Sequence, residues 1–223
     1  MSKSWTTSSV VINAIAKPVG LLSHKHAAFW LLSKSSTILS FGGEPYAKES
    51  PSAWTLTPDA NGSGTWSQVY SQTDSLWQSL AWPRFASNAA SPTTGYVLGG
   101  MVRDATYGVD FAVPGLTTLD FEINKWSNIT TVGKYSTTGL VLYGAAQFVP
   151  AFRKAGLLIF LGGSAPITPS DLKAALRPMS SITIYDPESG EWYSQTATGD
   201  VPSSRQDMCI AGAQSTNSTT YEM

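Results

Sequence analysis

The chain has little with which to do metal, thiol or charge-driven chemistry. It holds one cysteine, Cys209, in 223 residues, which excludes an internal disulfide and a thiolate zinc site. Two histidines are present, His24 and His26. A metal centre built on that pair lacks a third imidazole and would need Glu44 or Asp104 to complete it, so no metal and no cofactor are expected. Charged residues make up 13% of the chain and the formal net charge is −1, which leaves no basic footprint for nucleic acid or an anionic membrane. Apolar runs such as Gly156 to Leu161 are far too short to cross a bilayer as a helix. Met1 to Thr7 lacks the apolar core of a secretory leader. There is no phosphate-cradling glycine loop, no dinucleotide fingerprint and no Gly-x-Ser-x-Gly elbow.

What is present is turn and strand chemistry: 42% hydrophobic residues, 19 Gly, 13 Pro and 8 Trp. Leu157 to Leu161 is an apolar run closed by Gly162-Gly163, which reads as a buried strand ending in a sharp turn. Ile182 to Tyr185 is β-branched and aromatic, Asp186-Pro187-Glu188-Ser189-Gly190 carries turn residues, and Trp192 opens a returning strand. The same order occurs twice upstream. Ile38 to Phe41 with Gly42-Gly43 precedes Trp54 and Trp66, and Tyr96 to Leu98 with Gly99-Gly100 precedes Leu116 to Ile123 and Trp126. Gly43, Gly100 and Gly163 lie 57 and 63 residues apart, a repeat period. A further apolar segment precedes each glycine pair: Ala27 to Leu32, Phe85 to Ala90, and Gly144 to Val149. Each unit is therefore predicted to be one four-stranded antiparallel sheet.

The glycine pairs, the Tyr185-Asp186 pair and the fourth-strand tryptophans resemble the kelch repeat. The middle unit has Leu119-Asp120 where Tyr-Asp is usual, and the first keeps only its glycines and Trp66. Ile182 to Arg205 looks most like fungal kelch proteins with a galactose-oxidase-like propeller. The resemblance implies an all-β chain, a partial β-propeller of about three blades with flanking strands, as one domain over 1–223. The expected repeats are about 26–84, 85–137 and 138–205, with incomplete ones at 1–18 and 206–223. Trp5 to Ile15 and Met208 to Ala213 are the expected flanking strands, and Ser170 to Arg177 before Pro178 a short helix. Kelch rings usually hold six or seven blades, so the sequence reads as a fragment or a shortened product. Exposed blade faces at Ile38, Phe41 and Met208, and self-association, follow from that expectation. Related fungal proteins are often secreted or membrane-anchored, which leaves compartment open.

Trp5, Trp66, Trp126 and Trp192 are expected to pack between sheets, while Trp77 and Trp82 are freer for a surface role. Cys209 reads as a small buried side chain. Arg84 and Arg205 sit at matching places after the fourth strand, either recognising carboxylates and peptide carbonyls or pairing with a neighbouring blade. Glu44, Arg103 and Asp104 follow glycine pairs on the same loop face. Asn61, Asn128 and Asn217 begin glycosylation sequons. The expected function is a non-enzymatic module that binds a protein or polymer through its loop face. The alternatives are an isomerase- or cyclase-like accessory protein of fungal small-molecule biosynthesis, and a degenerate galactose-oxidase relative. No residue set matches the copper site of the oxidase.

Overall fold

The computed structural model describes residues 13–21, 25–43, 53–69, 76–104, 108–217 and 220–223. These residues are all-β, with one 3-10 turn at Trp77–Ser79. Blade I is β1 (Ala28–Leu32), β2 (Thr37–Phe41), β3 (Ala53–Pro58) and β4 (Gly64–Val69), antiparallel in chain order. Blade II opens with β5 (Ser87–Ala90) and β6 (Thr94–Leu98). A separate hairpin, β7 (Met101–Arg103) and β8 (Asp110–Ala112), then interrupts it before β9 (Leu116–Asp120) and β10 (Lys125–Ile129) complete the sheet. Blade III is β11 (Ala145–Val149), β12 (Leu157–Leu161), β13 (Ser181–Asp186) and β14 (Glu191–Thr196). A two-stranded ribbon, β15 (Ala213–Gln214) and β16 (Tyr221–Glu222), ends the described chain. The three expected sheets and their strand order are as the repeat pattern implies.

One aspartate closes the hairpin between the third and fourth strands of every blade. Asp186 accepts the N–H groups of Glu188 and Ser189 at 2.9 and 3.4 Å. Asp120 accepts those of Glu122 and Ile123 at 2.8 and 3.2 Å. Asp59 accepts those of Asn61 and Ser63 at 2.8 and 2.9 Å. Blade I therefore has this aspartate after all. It lies beyond the motif position because the ladder of β3 and β4 runs on through Thr57–Thr65 and Pro58–Gly64. The Asx turn satisfies backbone donors that the tight turn would otherwise leave open.

Cross-strand rows show which face each blade turns to its neighbour. In blade III the row is Phe148, Leu158, Tyr185, Trp192; in blade II it is Ala90, Gly95, Leu119, Trp126. Both rows lie against the preceding blade. Trp126 and Leu119 share one core cluster with Trp30, Leu39 and Phe41 of blade I. Leu158 and Tyr185 share another with Tyr96, Leu98 and Leu116 of blade II. Trp30 lies over Gly95, where an added Cβ would sit 2.5 Å from the indole. An aromatic ring of this size brings roughly 4–6 kcal/mol of burial, and a side chain at position 95 would displace it. The corresponding row in blade I is Leu31, Ile38, Leu56, Trp66, and Leu31 is 60% exposed.

The glycine pairs are the staples of the seams. The second glycine donates its N–H to the segment leading into the next blade: Gly43 to the Pro83 carbonyl at 2.9 Å, Gly100 to Val141 at 2.8 Å, and Gly163 to Arg205 at 2.9 Å. The first glycine lies against the same carbonyl, so that a Cβ on Gly99 would come 2.6 Å from the Val141 oxygen. Both glycines of that pair also have positive φ, +63° and +94°.

Several expectations are corrected. Phe41 is fully buried rather than exposed, packed on Trp30, Trp82 and Trp126. Trp77 is buried and Trp82 half-buried, because the 3-10 turn folds both over that seam. Ser170 to Arg177 forms turns and a bridge from Leu176 to Ser164, not a helix. An isolated stretch of that length cannot offset the cost of helix nucleation. Of Met208 to Ala213 only Ala213 pairs in a strand. Cys209 in that stretch is exposed, since no further sheet covers it among the described residues. Most of Trp5 to Ile15 lies outside the described residues.

Candidate functional site at the channel mouth

The first strands face the axis of the arc, since β1 packs beside β5 and β5 beside β11. Two lead-in segments reach them by one geometry, Pro83-Arg84-Phe85 and Val141-Leu142-Tyr143, and Arg205-Gln206-Asp207 after β14 repeats it. The first residue of each receives the glycine staple described above. The middle residue bridges to the residue after its own blade's glycine pair, Arg84 with Met101 and Leu142 with Ser164. The last residue has positive φ: +56° at Phe85, +58° at Tyr143 and +51° at Asp207. His26, at +59° and two residues before β1, holds the same place in blade I. The last residues are also joined in a ladder, with the Tyr143 N–H on the Phe85 carbonyl at 2.9 Å and the Asp207 N–H on that of Tyr143 at 3.1 Å.

These residues line a cavity of about 310 Å³ together with Asn88 and Met208. The rings form a continuous ledge. His26 and Phe85 have centroids 3.8 Å apart, and Phe85 and Tyr143 are 4.8 Å apart. Phe85 and Tyr143 rest on a small core of Met101, Ala112, Leu140 and Leu142. Burial pushes the Tyr143 phenol above its ordinary value, the Asp207 carboxylate adds to this, Arg84 opposes it, and Asp110 adds again. Tyr143 is thus a neutral hydroxyl at physiological pH.

The expected arginines separate here. Arg84 is buried and its Nη2 lies 2.7 Å from Asp110 Oδ2 on β8. Arg205 is exposed, with Nε on the Ser203 carbonyl at 3.2 Å. They are one residue out of register, because the counterpart of Arg84 is Gln206. Arg84 is thereby a bond between lead-in and hairpin, whereas Arg205 contributes its carbonyl to the seam. Arg103 is on β7, 3.7 Å from Asp110 Oδ1, and Asp104 follows at the hairpin tip, where its N–H meets the Val109 carbonyl at 2.8 Å. Glu44 and His24 lie outside the described residues. Asn61, Asn128 and Asn217 are exposed, and Ser218 and Thr219 of the third sequon lie outside the description. The positive-φ series at His26, Phe85, Tyr143 and Asp207 was missed in the sequence. Four dissimilar residue types occupy it, and its only signal was position, at the start of or one residue ahead of the expected segments that begin at Ala27, Phe85, Gly144 and Met208.

Two insertions between second and third strands frame the mouth. The hairpin β7–β8 is tied to the blade III loop by the Ala112 N–H on the Pro169 carbonyl at 2.7 Å. In that loop Arg177 stacks on buried Tyr135 at 3.9 Å and reaches Ser181 and Thr183 at 3.1 and 3.2 Å. Val109, Ile167 and Leu176 are exposed on these insertions at 56%, 75% and 39%.

No family model matches the chain. It is 24% identical over 127 residues, 52% of this chain, to a kelch repeat-containing protein of the fungus Arthroderma benhamiae. The match covers 18% of that relative's length. With its stapling glycine pairs, fourth-strand tryptophans and three four-stranded antiparallel blades, this chain is similar to the kelch-repeat proteins.

Proposed function

We propose that this chain is a kelch-type interaction module that binds a protein through the loop face around the channel mouth. The observation that carries the reading is the tie between the two insertions. A hairpin and a loop that served only as connections would have no need to be bonded across a seam, yet Ala112 and Pro169 join them. The tie makes one continuous surface, with Val109, Ile167 and Leu176 open to solvent. Exposed apolar residues grouped on a rigid frame are what an interface core requires. The kelch relative is consistent with such a role.

The test places a photo-crosslinking amino acid at Val109, on the loop face, or at Tyr193, on the outer strand of blade III. A discrete adduct from an extract of the source organism is expected at position 109 and not at 193. Ile167→Asp in the same chain should abolish it. Equal labelling from both positions, or an adduct indifferent to Ile167→Asp, would refute the loop face as the binding surface.

A further inference from the structure

We infer that the channel mouth is a subsite for a cationic side chain, a lysine or arginine carried by a partner peptide. The inference rests on the loop-face reading and adds the chemistry that the face recognises.

Among the described residues, seven other than glycine have positive φ. Ser36, Asn124 and Arg153 lie in turns between antiparallel strands, where such a conformation is ordinary. The other four are the series at His26, Phe85, Tyr143 and Asp207. A bulky residue is disfavoured in that region, and glycine would serve the backbone better. Residues held there are a mark of sites whose side chains must point one way. Here the shared conformation brings side chains from the approach to each of the three blades, and from the segment after the third, to one cavity.

Their chemistry is specific. His26, Phe85 and Tyr143 line the cavity as a row of aromatic rings in mutual contact. Asp207 continues the row as an exposed acid on the same cavity, its N–H on the Tyr143 carbonyl at 3.1 Å. Arg84 is engaged with Asp110 at 2.7 Å and lies 5.5 Å from the Phe85 ring centre. A cavity lined by aromatic rings and ended by a carboxylate suits a long side chain that lays an apolar stem along the rings and brings its cationic head to the charge. About 310 Å³ is the size of a small-ligand pocket, enough for one long side chain. The ledge stands on the Met101, Ala112, Leu140 and Leu142 cluster, which holds the rings in place before anything binds.

The probes are Nα-acetyl-lysine amide, Nα-acetyl-arginine amide and the neutral Nα-acetyl-norleucine amide, titrated into the full chain and followed by amide chemical shifts. Saturable shifts are expected at Gly144, Ala145 and Asp207 with the two cationic probes, and at least tenfold weaker binding of norleucine. Asp207→Asn should weaken lysine at least threefold and leave norleucine unchanged; Phe85→Leu should weaken both cations while keeping apolar volume. Equal affinity for lysine and norleucine, shifts confined to other regions, or indifference to Asp207→Asn in a variant with an unchanged spectrum would each overturn the subsite. The crosslinking result at Val109 is independent of that outcome. A loop-face adduct with no cation binding sinks the subsite alone, and loss of the adduct sinks the broader reading.

Discussion

Gly99→Ala tests the stapled seam. Two effects add. First, φ at Gly99 is +63°, a region that an alanine occupies at roughly 1–2 kcal/mol. Second, the new Cβ would stand 2.6 Å from the Val141 carbonyl oxygen and 2.9 Å from the Val141 Cβ. Neither neighbour is the loose end of a long side chain, so the lead-in segment must move. Moving it breaks the hydrogen bond from Gly100 to Val141 and leaves buried partners unmatched, a further loss of about 1–3 kcal/mol. The total is about 2–5 kcal/mol, a large part of the roughly 5–15 kcal/mol that holds a domain folded. Gly190→Ala is the control: φ is +72° there and nothing lies within 4 Å of the added carbon. It should show only the conformational term. Urea unfolding followed by tryptophan fluorescence reads both variants, and the difference between them, about 1–3 kcal/mol, is the staple. Equal midpoints with equal slopes would refute the claim that close approach, rather than backbone conformation, fixes the glycine at position 99.

Trp126→Ala should lower stability by about 3–5 kcal/mol, since its ring is in contact with Trp30, Phe41 and Trp77. The same change at half-buried Trp66, at the matching place in blade I, should cost less than half of that; similar melting losses would show that the two tryptophans are equally packed. Burial pulls the Asp186 carboxyl upward, but the Glu188 and Ser189 donors and the Arg153 guanidinium outweigh it, so the group lies below the ordinary aspartate value. A lowered folded-state value stabilises above the unfolded aspartate pKa of about 3.9 and is lost as pH falls through the folded one. Asp186→Asn should therefore flatten the acid limb of a stability–pH curve, and an unchanged limb would argue against a charged acceptor in that turn.

The blades were legible in the sequence because their signals are local. The apolar run before Gly162-Gly163, the Asp186 turn and Trp192 each announce a strand, a turn or a seam from short stretches of residues. Phe41 and Trp77 were misjudged for the opposite reason. Whether they are covered depends on which blade lies across the seam, and hydrophobic periodicity gives a face without naming its partner. Asp59 escaped notice because two additional ladder pairs in blade I carry it past the place where Asp120 and Asp186 sit. In the candidate site, Arg103 and Asp104 were read as loop residues after a glycine pair, whereas Arg103 ends strand β7 of the inserted hairpin and Asp104 follows it. Pairing was one of the two readings of Arg84, but its partner Asp110 was not visible, since it belongs to an inserted hairpin with no counterpart in the repeat. The ledge was hidden for a further reason: a backbone conformation shared by His, Phe, Tyr and Asp leaves no common letter.

The staples also bear on how such chains change length. Each joins one glycine pair to the lead-in of the very next repeat, and none reaches further along the chain. The tryptophan rows of blades II and III likewise each meet the blade before them. A repeat copied or lost as a whole would therefore bring or remove one staple and one row together, leaving every other seam chemically intact. Nearest-neighbour coupling of this kind makes repeat number a quantity that gene duplication can alter in single steps. The insertions at the channel mouth obey a different rule. Ala112 and Pro169 come from two blades, so that pair survives only if both repeats stay side by side. The arc can grow or shrink at its margins, while the tie across its loop face depends on one particular pair of neighbours.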